Sequence, residues 1–163
     1  MRTLKIYLDT SVVNFLFADD APEKKEATVD FFDNYVSPGI YDACISPVVL
    51  DEINRTRDRS KRHSLLDAVS TYGLESLSTE ENSQETQRLA ARYIQEGAVP
   101  ADKIEDALHV AIATVHEMDV LLSWNYKHLA NVNKEARILA INLTEGYSKP
   151  LRMVTPFEVI YGK

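Results

Sequence analysis

Short apolar segments alternating with stretches of helical periodicity predict an α/β fold, a three-layer α/β/α sandwich around a mostly parallel central sheet. Residues 4–8, 41–45 and 120–123 are apolar on both faces, as strands buried between two helical layers are. The stretches between them carry apolar residues at three- and four-residue spacing, the signature of helices with one buried face. Five glycines in 163 residues, with no internal repeat and no Gly/Ser-rich linker, imply short connections. A chain of this length fits one domain with a full core, here residues 1–163.

The first strand, residues 4–8, ends at Asp9, and Thr10 or Ser11 can cap a short helix opening at Val12. A helix over 23–35 places Ala27, Phe31, Phe32 and Tyr35 on one face, and Pro38-Gly39 breaks it. Residues 41–45 form the second expected strand. Ser46-Pro47 then reads as N-cap and first residue of a helix that carries Val48, Val49, Leu50 and Glu52. Further helices are expected over 65–71, 80–95 and 102–117, with a short strand over 74–77. The helix over 102–117 has the clearest apolar stripe, formed by Ile104, Ala107, Leu108, Ala111, Ile112 and Val115. Residues 120–123 read as the third main strand and 136–142 as the fourth. Thr155-Pro156-Phe157-Glu158 starts a last short helix.

Net charge is −7 and the sequence pI is near 5.1, a balance that by itself argues against nucleic-acid binding. Distribution matters more than the sum. Residues 55–63 hold five Lys or Arg against one Asp; this segment either meets phosphates or an acidic partner, or is a solvated helix face. No apolar run is long enough to span a bilayer, and the N-terminus lacks the apolar stretch and cleavage site of a signal peptide. Cys44 is the only cysteine, which excludes an internal disulfide and a thiolate cluster and fits a reducing cytoplasm. Its apolar neighbours suit a buried small side chain.

Several chemistries are excluded by missing motifs. There is no glycine-rich phosphate loop and no GxSxG nucleophile elbow. Ser11 stands where a haloacid-dehalogenase-like phosphatase would need a second aspartate. The four histidines show no zinc-ligand spacing with Cys44.

What remains is acidic. Asp9 sits at a strand end, where it either serves a turn or reaches a cation above the sheet. Glu52 lies on the early turns of an apolar helix, and its neighbour Asp51 shares the reading of an exposed helix acid. Asp102-Lys103-Ile104-Glu105 has the form of a capping box, which gives Asp102 and Glu105 structural work and leaves Asp106 over. A carboxylate placed where a helix turns toward the core is costly unless paired or bound to a cation. Mg²⁺ or Mn²⁺ suits such a set, because Mg²⁺ takes one or two carboxylates while retaining waters and substrate phosphate. His109, three residues past Asp106, either orients an acid, reaches phosphate or is a satisfied buried histidine. Trp124 and Tyr126 either stack a base or serve as core or lid aromatics.

Four segments, in order over residues 4–160, resemble the PIN-domain ribonucleases, in particular the VapC-type toxins of type II toxin–antitoxin modules. They are Tyr7-Leu8-Asp9-Thr10-Ser11-Val12, Ser46-Pro47-Val48-Val49-Leu50-Asp51-Glu52-Ile53, Asp106-Ala107-Leu108-His109-Val110-Ala111-Ile112-Ala113, and Val120-Leu121-Leu122-Ser123-Trp124-Asn125-Tyr126-Lys127-His128-Leu129. The closing Thr155-Pro156-Phe157-Glu158 matches as well. The resemblance implies a PIN-like fold, with Asp9, Glu52 and Asp106 as the metal-site acids and Thr10 and Ser123 beside them. Asn125 stands at a fourth position that is often aspartate in the family, which puts a second metal in question. The implied activity is hydrolysis of RNA with Mg²⁺ or Mn²⁺, leaving a 5′-phosphate and a 3′-hydroxyl. The implied partners are an RNA substrate, a small antitoxin and a second copy of the chain. The competing expectation is a catalytically impaired PIN-like domain kept for RNA or partner binding.

Overall fold

The computed structural model describes residues 2–161. Five strands form one parallel sheet in the order β3-β2-β1-β4-β5: β1 Lys5–Leu8, β2 Asp42–Ile45, β3 Glu75–Ser76, β4 Val120–Leu122 and β5 Arg152–Val154. Seven α-helices accompany them among the described residues: α1 Thr10–Asn14, α2 Pro22–Phe31, α3 Pro47–Asn54, α4 Arg59–Thr71, α5 Ser83–Gln95, α6 Ile104–Val115 and α7 Val132–Thr144. The central strands need cover on both faces. Ile6, Tyr7, Leu8, Leu121 and Leu122 are all fully buried, and helices packed on the two sides supply that cover in a three-layer α/β/α arrangement.

The strand order reverses beside β1. The chain first builds β2 and β3 to one side, then returns to place β4 and β5 on the other. At such a switch point the loops leaving neighbouring strands diverge and open a crevice beyond their carboxyl ends. Leu8 pairs in register with Leu122, and Tyr7 with Cys44. The residues that follow, Asp9, Ser46 and Ser123, therefore stand in a row along that edge.

Most expected elements are present with shifted ends. The helix expected over 23–35 is α2 running into one π turn, Phe32–Val36, and Gly39 takes the left-handed backbone (φ 81°) after it. Ser46 caps α3 as expected, its Oγ accepting the Val48 N–H at 3.2 Å. The helix expected over 65–71 begins earlier, at Arg59, because Asp58 accepts the N–H groups of Ser60 and Lys61.

Three expectations fail. Residues 136–142 are not a strand; they lie in α7, which Asn131 caps by accepting the Lys134 N–H at 2.8 Å. Ile138, Ile141 and Asn142 form its buried face, a helical spacing that outweighs the β-branched composition. The fifth strand is Arg152–Val154 instead. Neither Thr10 nor Ser11 caps α1, since the helix starts at Thr10 and Asp9 holds the cap position. The capping box at Asp102 and Glu105 does not form either: α6 starts at Ile104, no side chain caps it, and Glu105 faces Arg55 at 3.3 Å. A capping box does form at Thr155 and Glu158, around the 3₁₀ turn Pro156–Glu158.

Asp119 belongs to the opposite edge of the sheet. It precedes β4 and accepts the Lys5 N–H at 2.8 Å, the Arg2 guanidinium at 2.9 Å and the Lys149 ammonium at 3.1 Å. Burial works to raise its carboxyl, but these donors hold it below the ordinary carboxylate value. Asp119→Asn is expected to cost about 2 kcal/mol, the scale of hydrogen bonds to a charged group. The wild-type contribution is present above pH 3.8 and is lost as pH falls below it. Urea denaturation of both proteins between pH 3 and 7 measures this, and coincident stability curves would refute it.

Candidate functional site

At the switch point, Asp9, Thr10, Ser11, Asn14, Glu52, Asp106, His109 and Asn125 line one pocket of about 290 Å³. The end of β1, the start of α1, α3, α6 and the loop after β4 each contribute. All of Asp9, Glu52, Asp106, Asn125 and Thr10 thus come together, with Ser123 directly behind them through its bond to Asp9.

Asp9 is buried, and its two oxygens are held from opposite sides. Ser11 Oγ donates to Oδ1 and Ser123 Oγ to Oδ2, both at 2.5 Å. Each hydroxyl is itself fixed by a backbone N–H, Trp124 to Ser11 and Asn125 to Ser123, both at 2.9 Å. Burial raises the Asp9 carboxyl above its ordinary value, against the opposing effects of His109 and the two serines.

Glu52 behaves oppositely. Burial pushes its carboxyl up, but the hydrogen bonds from His109 and Thr10 outweigh it and hold the group below its usual range. His109 Nε2 lies 2.8 Å from Oε1, and Thr10 Oγ1 donates to the same oxygen at 2.7 Å. Oε2 has no hydrogen-bond partner among the described residues.

Asp106 sits on the first turn of α6. Burial is the main cause that pushes its carboxyl up to about 6; Asp9 and Glu52 add to the rise, while His109 and Lys103 oppose it. Among the described residues its one hydrogen bond comes from Asn125 Nδ2, at 3.4 Å. Asn125 Oδ1 is taken by the His128 N–H at 3.0 Å. The amide therefore presents its nitrogen to Asp106, and its carbonyl faces the loop.

Sequence reasoning assigns no site role to Tyr7, Ser11, Asn14 or Ser46. Ser11 and Ser123 do carry a legible signal: a hydroxyl just past the end of β1 and another just past the end of β4. His109 is a buried histidine with satisfied nitrogens and also a partner of an acid, two of the readings the sequence allows. Trp124 is a core aromatic, stacked on Phe15 with its Nε1 donating to Thr28 Oγ1, whereas Tyr126 is 44% exposed. Within the basic segment, Arg55 meets Glu105 and Arg62 donates to the Thr56 carbonyl.

The donor set consists of oxygens, as a hard divalent cation requires. Among the described residues no three His, Cys, Asp or Glu side chains close into a ready-made metal cage. The acids instead stand around an open pocket with Glu52 Oε2 and Asp106 Oδ1 unengaged, which suits a cation that keeps several waters.

Comparison with known families gives one decisive match: the PIN domain model fits residues 6–135. The chain belongs to the PIN domain family. Among solved structures, this PIN domain is similar to a chain in the crystal structure of VapBC2 from Rickettsia felis bound to a DNA fragment from their promoter. That match has a TM-score of 0.54 and 17% identity, and covers 76% of this chain and 90% of the other. A second likeness is to a member of the VapBC family of toxin–antitoxin systems, VapBC-5 from Mycobacterium tuberculosis, with a TM-score of 0.47 and 12% identity over 93% of this chain and 98% of that one. No curated protein matches the sequence.

The Asp106 environment has a testable consequence for the metal-free protein. A carboxyl whose folded value lies above its unfolded 3.8 favours folding at low pH, and that contribution disappears as pH rises through about 6. Asp106→Asn removes the slope. In chelator at pH 7.5 the variant is expected to be more stable than wild type by on the order of 1–3 kcal/mol, from about 1.4 kcal/mol per pKa unit. Denaturant titrations from pH 4 to 8 read this directly; equal slopes for the two proteins would contradict it.

Proposed function

We propose that this PIN domain is a divalent-cation-dependent endoribonuclease, using Mg²⁺ or Mn²⁺, and the toxin of a toxin–antitoxin pair. The observation that carries the proposal is the convergence of Asp9, Glu52 and Asp106 on one pocket, with Asp106 destabilised as an anion first by burial and then by the other two acids. Structural ion pairs relieve such repulsion with Lys or Arg; this pocket has neither in its lining. A bound cation would add the neutralising charge that His109 and Lys103 supply only in part.

Asp9, Asp106 and Glu52 would hold the cation, which when bound supplies charge against a phosphate and makes a water more acidic. The chain's own residues do the rest. Ser11 and Ser123 keep Asp9 from turning away, Thr10 and His109 do the same for Glu52, and Asn125 donates toward Asp106. The expected products are a 5′-phosphate and a 3′-hydroxyl.

The toxin role is supported by the four sequence segments in register and by the likeness in fold to a VapBC2 chain. It brings with it a small antitoxin partner, a homodimer and a cytoplasmic location. Among the described residues no helix is long and apolar enough to cross a membrane.

Cleavage of single-stranded RNA in Mn²⁺ tests the enzymatic reading. Asp9→Asn and Asp106→Asn are each expected to lower the rate by roughly 100-fold or more, the scale for losing a group that stabilises transition-state charge. Undiminished cleavage by either variant would sink the proposal. The competing reading, a non-catalytic binding domain, is favoured by one observation, the amide of Asn125. Asn125→Asp keeps the acceptor for the His128 N–H and adds the fourth acid. A rise in Mn²⁺ affinity and rate is expected for an active enzyme, whereas a wild type without cleavage and a variant without gain would favour binding alone.

A further inference from the structure

Behind Glu52 runs a line of hydrogen bonds of which the assignments above use only the last, from His109 to Glu52. Ser46 Oγ lies 2.7 Å from Tyr7 Oη, and Tyr7 Oη lies 2.6 Å from His109 Nδ1. On the far side of the ring, His109 Nε2 lies 2.8 Å from Glu52 Oε1. Ser46 and Tyr7 are fully buried and His109 is 2% exposed, so water does not complete the pattern. Four side chains from β1, the start of α3, the body of α3 and α6 are linked end to end.

The direction of every proton in the line follows from its first member. Ser46 Oγ already accepts the Val48 N–H as the cap of α3. Its own O–H must donate, because a buried hydroxyl hydrogen without an acceptor is costly. Tyr7 Oη is its only side-chain neighbour in hydrogen-bond range among the described residues. With that oxygen accepting from Ser46, the phenolic hydrogen of Tyr7 is directed at its other neighbour, His109 Nδ1. Nδ1 is then an acceptor and carries no hydrogen, which places the ring hydrogen on Nε2, aimed at Glu52 Oε1. The reverse direction, Tyr7 donating to Ser46, leaves the serine hydrogen stranded in the core.

We propose that Ser46, Tyr7 and His109 form a tautomer lock whose function is to position Glu52. This inference rests on the nuclease reading of the pocket and assigns that site three positioning residues. Nε2–H and Thr10 both hold Oε1, so the carboxylate is fixed with Oε2 as its free oxygen. Burial raises the Tyr7 hydroxyl well above its ordinary value, so it remains a donor throughout the neutral range. The lock is also economical in sequence: Ser46 starts the helix that carries Glu52 six residues later, and one hydroxyl serves both the helix and its acid.

Nitrogen-15 NMR of the imidazole in the metal-free, full-length protein tests the lock without reference to activity. The His109 ring is expected to show a hydrogen on Nε2 and a bare, hydrogen-bonded Nδ1. A ring with its hydrogen on Nδ1, or on both nitrogens, in the folded protein near neutral pH would overturn the proposal. Tyr7→Phe removes the donor to Nδ1 and is expected to give a mixture of both tautomers and to weaken Mn²⁺ binding by calorimetry about 10-fold, the usual scale for a partner behind a metal ligand. A folded Tyr7→Phe protein with the wild-type tautomer and Mn²⁺ affinity would also overturn it. If the variant fails to fold, the wild-type spectrum alone decides for or against the lock. An intact lock in a protein that cuts no RNA would refute the nuclease reading alone.

Discussion

A carboxylate buried at the end of a central strand has to be given back the hydrogen bonds it would have had in water. Asp9 is in that position, and the cost of leaving such a charge bare is several kcal/mol. The structure answers with two serine hydroxyls, one from the chain just after it and one from the end of β4. Each of those hydroxyls accepts a backbone N–H from residues 124 and 125 in turn. The anion thus organises the segment that follows β4. The parallel register of β1 with β4 sets Ser123 beside Asp9, and Asn125 is placed against Asp106 as a consequence. Much of the pocket's shape follows from solvating one charge.

The parts of the fold legible in the sequence are those where burial forces a pattern. β1, β2 and β4 have helices on both faces, so their apolar runs stand out. β5 is three residues long with one of them exposed, too little to leave a periodicity. The segment 136–142 misleads because isoleucine suits either element; what decides is the spacing of Ile138, Ile141 and Asn142 with Asn131 as the cap. Buried Asn142 finds its partners from the helix, accepting from Tyr93 and donating to Thr114. Tertiary partners settle what composition leaves open.

For the site, the sequence locates the acids and cannot supply their surroundings. Asp106 illustrates the difference. Its neighbours single it out through a capping box that does not form, yet the residue lies in the pocket because the first turn of α6 meets the crevice. The underlying physical constraint, that a carboxylate at the edge of the core needs a partner, holds without the box. Tyr7 is invisible as a site residue because an aromatic in a central strand reads as core, which it is; only its hydroxyl takes part in the chemistry. Ser46 likewise reads as a helix cap, and its second bond exists only in three dimensions.

Asn125 is where charge balance and function meet. An aspartate there would place a fourth anion beside Asp106, whose carboxyl burial and its acidic neighbours already push up to about 6. The amide avoids that repulsion and donates a weak hydrogen bond instead. It cannot simply rotate to offer its oxygen, since the His128 N–H would lose its acceptor and face an NH₂ group. The apo protein is therefore easier to fold with asparagine, and in the proposed nuclease a cation meets three negative charges where four would hold it more tightly. Since Mg²⁺ needs only one or two protein carboxylates, three acids suffice for one hydrated cation. The charge that asparagine withholds bears most heavily on a second one.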